Sequence, residues 1–341
     1  MATINTPFNY NAGINYETWT MGRTDMDIAT DLAGISTYFS LIKTFHDTAV
    51  GTTSIEIDPT QQQVINFLTS NTGQAMQLIM GTNNSALAQG GYGTAWSAGL
   101  MTSSTYTDAW VTMIIAAFGS VANTLQYLAC ICLGNEVDAN GPPGSDKHFT
   151  DYYSNWIPDA FTNLQNSLSS QGLGSIPVTS IIANYPLGSP DTNVVASNTV
   201  NYINTHWSAS WNGGNPFVFF NQYTPDYGQS TDFNAVISYF NAVQGILNNA
   251  PQVFVGETGY SAEFNTKTAN NQATVITDVF TWLSAQQTGG AVSTPLCVFQ
   301  AFDHSQKPVG QQQMGLFEYS SGTFGVKSGI TIPAWTNTLI S

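Results

Sequence analysis

A chain of 341 residues, 42% of them apolar, is long for one β-sandwich and fits one eight-stranded barrel with loop insertions. Only 8% of its residues are charged, and six Lys and Arg stand against 21 Asp and Glu, a formal net charge of −15. Such a surface repels phosphate backbones and anionic lipid, which argues against nucleic acid and against a membrane surface as partners, and no run approaches the ~20 apolar residues of a membrane span.

In chain order, short apolar runs rich in β-branched or aromatic residues predict strands over 12–16, 41–46, 75–81, 127–134, 177–183, 217–222, 252–256 and 295–301. Between them, amphipathic segments predict helices over 25–39, 59–70, 106–125, 149–171, 193–207, 232–249 and 267–287. Asp58-Pro59 puts proline at a first helical position, and Thr150-Asp151 precedes another apolar-periodic run. Eight strands alternating with helices argue for a parallel sheet closed into a (β/α)8 TIM barrel. An open doubly wound sheet is the alternative, but the Gly-rich phosphate turn that accompanies its first strand is missing; Gly81-Thr-Asn-Asn and Gly90-Gly-Tyr-Gly lack the spacing. No linker, repeat or charge run divides the chain, so residues 1–341 read as a single α/β domain. The polar connection over 82–105 is long enough to help shape a site.

Cys130, Cys132 and Cys297 all lie in apolar strand-like runs, and an odd number so placed reads as buried free thiols. Met1-Ala-Thr-Ile-Asn-Thr-Pro7 has no basic region followed by an apolar core. The chain is therefore either cytoplasmic or a secreted protein stripped of its signal peptide, and the second is the expectation. The surface must be built from Asn, Gln, Ser and Thr, which suits a neutral, hydroxyl-rich ligand.

Reactive groups of such a barrel project from the C-terminal ends of strands. Of the six glutamates, two have matching surroundings: Glu136 follows Leu128-Ala-Cys-Ile-Cys-Leu-Gly-Asn135, and Glu257 follows Val253-Phe-Val-Gly256, 121 residues later. A carboxylate at the end of a buried apolar strand loses solvation that hydrogen bonds or protonation must offset. One such group alone reads best as a staple for barrel loops. Two, ending the fourth and seventh strands, match the acid and the nucleophile of glycoside hydrolysis.

Gly134-Asn135-Glu136 resembles the acid/base motif of the clan A glycoside hydrolases, whose Asn-Glu pair ends strand four. Gly256-Glu257-Thr258-Gly259-Tyr260 resembles the nucleophile motif of family 17, the β-1,3-glucanases, Ser-Glu-(Ser/Thr)-Gly-Trp. In the same order, Gly13-Ile14-Asn15-Tyr16 is similar to the family's opening strand and Leu78-Ile79-Met80-Gly81-Thr82-Asn83 to its third. Phe302-Asp303-His304-Ser305-Gln306-Lys307 and Gly315-Leu316-Phe317 are similar to its last loop. The chain departs from the pattern where His304 stands for a Glu, Tyr260 for a Trp, and Ile42-Lys43-Thr44-Phe45 for Ile-Arg-x-Tyr.

The resemblance implies a retaining hydrolase of β-glucan, foremost β-1,3-glucan, with Glu136 as acid/base and Glu257 as nucleophile at a carboxyl separation of ~5–5.5 Å. Glu136 then needs a pKa high enough to carry a proton at working pH. Asn135 would bond the sugar 2-hydroxyl, and Tyr223 would donate to the nucleophile. Tyr16 and His46, at the ends of the first two strands, are candidate sugar contacts; His46 reads equally as a core histidine. Asp303 and Lys307 would support the nucleophile, bind hydroxyls or form a surface ion pair. Phe302, Trp19 and Trp96 are candidate stacking faces for a sugar ring; of the other tryptophans, Trp207 suits a helix core better. The chemistry needs no cofactor and no metal. The expected partner is a neutral polysaccharide or oligosaccharide, met by a monomer. Transfer of the glycosyl group to another sugar is the first alternative, hydrolysis of a different β-linked polysaccharide the second, and a non-catalytic carbohydrate-binding barrel the third.

Overall fold

Eight strands form in the places the apolar runs mark: β1 Ala12–Asn15, β2 Leu41–Thr44, β3 Gln77–Gly81, β4 Leu128–Leu133, β5 Val178–Ile182, β6 Phe217–Asn221, β7 Gln252–Thr258 and β8 Leu296–Val298. Each pairs in parallel with its neighbours, and β8 returns to β1, so the sheet closes into a (β/α)8 barrel. The computed structural model describes residues 8, 11–17, 25–45, 57–70, 76–82, 84–90, 95–139, 146–183, 190–224, 231–247, 251–262, 269–288, 295–307, 309–320 and 322–337. Among these, no single helix is long and apolar enough to cross a membrane.

Alternation along the strands divides the buried residues in two. Ile14, Ile42, Leu78, Ile131, Val218 and Val253 face the helices and belong to the core between barrel and helix ring. Leu41, Ile79, Cys132, Phe219, Phe254 and Cys297 fill the barrel itself. Phe8 closes the N-terminal end of the barrel, its ring 5.5–6.1 Å from Phe217, Phe219 and Phe254. The three cysteines are buried free thiols, and burial pushes the Cys297 thiol up to about 12. Inward parity therefore runs Gly13, Asn15, Glu17 on β1 and Leu41, Lys43, Phe45 on β2, which decides which side chains reach the mouth of the barrel.

The helix ring follows the expected segments with two breaks. The run 106–125 is two helices, α1 Ser104–Phe118 and α2 Val121–Tyr127, bent by 85°. Gly119 takes φ +80°, which an L side chain rarely adopts, and the Ser120 hydroxyl accepts from Asn123 N at 3.1 Å to start the second helix. The run 149–171 contains one π turn over Tyr152–Trp156 before α3 Ile157–Ser170. The helix Pro59–Ser70 begins as its sequence dictates, with Asp58 Oδ1 accepting from Thr60 N at 2.8 Å. Two small hairpins were not legible: Ala88–Gln89 with Ser97–Ala98, and Phe317–Ser320 with Thr323–Val326.

Candidate active site

Residues that continue the inward parity past the last rungs converge at the C-terminal mouth. They line a cavity of about 660 Å³ whose walls come from the ends of seven strands: Glu17 after β1, Phe45 after β2, Asn135 and Glu136 after β4, Ala183 after β5, Asn221 and Tyr223 at β6, Glu257 on β7, and Phe299 and Lys307 after β8. Glu136 and Glu257, the two carboxylates singled out by sequence, thus face one space.

Glu257 gets there through an irregularity. On β7, Val253 and Val255 face the helices and Phe254 the barrel, so plain alternation would turn Glu257 outward. The register against β6 passes from Phe220↔Val255 to Asn221↔Glu257, and against β8 from Leu296↔Val255 to Val298↔Thr258. β7 carries one extra residue there, a bulge that swings Glu257 inward. Gly256 occupies the bulge, and a Cβ on it would meet Asn221 Oδ1 at 2.5 Å, so a side chain does not fit.

The Glu257 carboxylate is 5% exposed and held on both oxygens. Lys43 Nζ donates to Oε1 at 3.2 Å and Tyr223 Oη to Oε2 at 2.7 Å. Lys43 is fully buried; it also donates to Asn15 Oδ1 at 3.1 Å and stands 3.8 Å over the Phe45 ring. Asn15 is fixed in turn by Nδ2, which reaches Gly256 O at 3.1 Å and Val298 O at 3.2 Å. Two buried charges are tolerated because each finds the other together with polar partners.

Glu136 sits in a turn clamped from both neighbouring strands. Gly134 at φ +70° and Glu136 at φ +52° both adopt left-handed backbone, and for Glu136 this costs on the order of 1–3 kcal/mol. The clamp holds it there. Thr82 Oγ1 accepts from Gly134 N, Asn84 Oδ1 accepts from Asn135 N and Asn84 Nδ2 donates to Asn135 O, at 2.8–2.9 Å. On the other side Val137 N donates to Ile181 O at 3.0 Å. Asn221 Nδ2 donates to Glu136 Oε1 at 3.1 Å and lies 3.4 Å from Asn135 Oδ1, tying carboxylate and amide together. Glu257 thus accepts from a cation and a phenol, and Glu136 from the amide of Asn221.

Burial, then the adjacent Glu257, hold the Tyr223 hydroxyl well above its ordinary range, so it serves as a neutral donor. Tyr223→Phe removes a hydrogen bond to a charged group, of order 1.5–3 kcal/mol. We expect kcat to fall about 10- to 100-fold with KM little changed; steady-state kinetics that move KM alone would contradict this placement.

Lys307 reaches the cavity from the loop after β8 and donates to Glu17 Oε1 at 2.8 Å. Four of its fellow candidates stand elsewhere. Asp303 accepts from Gly315 N at 2.9 Å and from Lys327 Nζ at 2.6 Å; it fixes the loop and does not line the cavity. Phe302 is core: it stacks on Tyr319 at 5.9 Å and meets Tyr16 at 6.3 Å. Tyr16 has the outward parity of β1, and its hydroxyl donates to Asp31 Oδ2 at 2.8 Å, so it is no sugar contact. Trp96 lies against Gly90 and the core and is not part of the lining. Trp19 and His46 lie outside the described residues. His304, where the resemblance expects a carboxylate, is buried with Nδ1 facing Gln306 N at 3.2 Å, and burial lowers its pKa.

The residues that sequence reasoning missed are Lys43, Glu17, Asn221, Phe45 and Phe299. A signal existed for most of them: a lysine inside Leu41-Ile-Lys-Thr44 must find a buried anion, and Glu17 lies two residues beyond Asn15, on the same face.

No protein-family model matches the sequence, and no curated protein matches it. Solved structures do share its fold. An active-site mutant of the β-1,3-glucanosyltransferase of Rhizomucor miehei, in complex with laminaritriose, superposes with a TM-score of 0.60 at 17% identity, covering 94% of this chain and 97% of that one. A structure from a study of two plant β-glucan endohydrolases with distinct substrate specificities gives 0.59 at 16% identity, covering 89% and 96%. An endo-laminarinase from Formosa gives 0.60 at 13% identity, covering 93% and 85%. At these identities the likeness establishes a shared barrel fold.

Proposed function

We propose that the protein is a retaining glycoside hydrolase acting on β-glucan, foremost β-1,3-glucan. The observation that carries this reading is the convergence of two carboxylates on one cavity wall, each gripped by donors of its own. Glu257 receives a cation and a phenol on its two acceptor oxygens, which fits a group that attacks as a carboxylate. Glu136 accepts from the neutral amide of Asn221, which fits a group that alternates between acid and base. In the first step Glu257 attacks the anomeric carbon while Glu136 gives its proton to the departing glycosidic oxygen. In the second, Glu136 takes a proton from water as the water oxygen attacks that carbon and Glu257 is released. Asn135, beside the acid, would hold the 2-hydroxyl. The low net charge of the cavity, three carboxylates against Lys43 and Lys307, suits an uncharged polymer. Polysaccharide of this kind lies outside cells, so secretion belongs to the same proposal.

The test is a panel of β-1,3-, mixed β-1,3/1,4- and β-1,6-glucans, with the first-formed anomer followed by NMR. We expect β-1,3-glucan to be cleaved and the β-anomer to appear first. An α-anomer formed first, or a folded protein that cleaves none of the three, would refute the reading. The fold shared with a β-1,3-glucanosyltransferase favours a second one, in which a sugar hydroxyl replaces water in the second step. Products longer than the oligosaccharide supplied would mark it.

A further inference from the structure

We infer that Glu17 and Lys307 form a hydroxyl-binding pair on the cavity wall, which holds an uncharged sugar ring beside the two carboxylates. This rests on the glycosidase reading and deepens it by naming Glu17, a residue outside the motifs that suggested it, as a substrate-binding group. Glu17 takes the inward position after Asn15 on β1, lines the cavity, and has a side chain 5% exposed. Its Oε1 accepts from Lys307 Nζ at 2.8 Å, whereas its Oε2 is buried and has no hydrogen-bond partner among the described residues. An unmatched carboxylate oxygen out of water is costly, and the chain retains it on the wall of its cavity rather than in its core. Burial outweighs the neighbouring lysine and raises the Glu17 pKa, so the ion pair does not by itself account for the charge being there.

Lys307 supplies the complementary chemistry. An ammonium has three N–H donors, one of which goes to Glu17. The same ammonium lies 5.2 Å from the centre of the Phe299 ring, an apolar face on the cavity wall. One unmatched acceptor and further donors therefore stand side by side next to an aromatic face. Adjacent hydroxyls on a sugar ring, each able to donate and accept, match that set. A free anion would meet Glu17, Glu136 and Glu257 in the same cavity, and a free cation would meet Lys307; an uncharged polyol avoids both conflicts.

The experiment titrates laminaritriose, cellotriose and mannotriose by calorimetry into the Glu257→Gln protein, in which turnover does not consume the probe, with Glu17 intact or changed to Ala or Gln. We expect the best-bound trisaccharide to lose about 10- to 100-fold in affinity with Glu17→Ala, and less with Glu17→Gln, which keeps an acceptor. The thermal midpoint of Glu17→Gln at pH 7 should equal or exceed that of its parent, because an amide carries no buried charge. A structural staple would give the reverse pattern, a lower midpoint with unchanged affinity, and would overturn the inference. So would the absence of binding by all three sugars. Turnover of β-glucan by the unmodified enzyme separates the two readings. Binding that depends on Glu17 without glucan cleavage removes the proposed reaction and leaves this pair standing. Cleavage with KM and kcat unchanged in Glu17→Ala does the opposite.

Discussion

Glu257→Ala is expected to lower β-glucan turnover by roughly 10⁴- to 10⁶-fold, the range seen when the attacking group of a catalytic set is lost. Azide should then restore activity on an aryl β-glycoside with a good leaving group, and the glycosyl azide should have the α configuration. The truncation vacates the space of a carboxylate but leaves Lys43 Nζ and Tyr223 Oη pointing at it, two donors that suit a small anion. Azide there attacks the anomeric carbon once, from the face opposite the aglycone, and inverts it. Glu136→Ala should behave differently. Aryl glycosides whose leaving group needs no proton should still load Glu257, and azide should intercept the covalent intermediate to give the β product. The configuration of the two azides, read by proton NMR, assigns the roles. An α product from Glu136→Ala, or full glucan turnover by Glu257→Ala without azide, refutes the assignment.

The second large effect concerns stability. Lys43 and Glu257 are 0% and 6% exposed, so Lys43→Met strands a buried carboxylate. Breaking one side of a buried pair costs about 3–5 kcal/mol. With an unfolding entropy of about 2.1 cal/mol/K per residue, the thermal midpoint should fall by roughly 4–7 °C. Adding Glu257→Gln removes the stranded charge, and the double variant should recover most of the loss. Calorimetric scans of the four proteins form a double-mutant cycle, and additive losses would mean that the pair is not an energetic unit. The cycle also separates two consequences of Lys43: the stability deficit is repaired in the double variant, whereas turnover is not.

The barrel was legible because its strands are buried on both faces and read as unbroken apolar runs between helical periods. Helix boundaries were less so. The apolar period ran straight through Phe118-Gly119-Ser120, although a left-handed glycine followed by a capping serine ends one helix and begins the next. Within the site, the motif residues were legible and their neighbours were not, because residues were chosen by nearness to a strand end, without regard to which face they occupy. Parity sends Tyr16 toward Asp31 and Glu17 into the cavity, although they are consecutive. Parity alone would have failed at Glu257, whose inward aim depends on an extra residue that only pairing with β6 and β8 reveals. Phe302 and Asp303 were drawn in by a linear motif whose loop, once folded, brings Lys307 to the cavity and leaves those two off its wall.

The grip of Asn84 on the Asn135 peptide has a consequence for how such a protein diversifies. Both of its bonds go to main-chain atoms, which every residue type except proline presents alike. The hold on the Glu136 turn is therefore indifferent to what side chain position 135 displays. A lineage can rewrite that side chain while the neighbouring carboxylate keeps its station, so, under the proposed function, preference for one sugar over another is free to drift without the reaction being lost on the way.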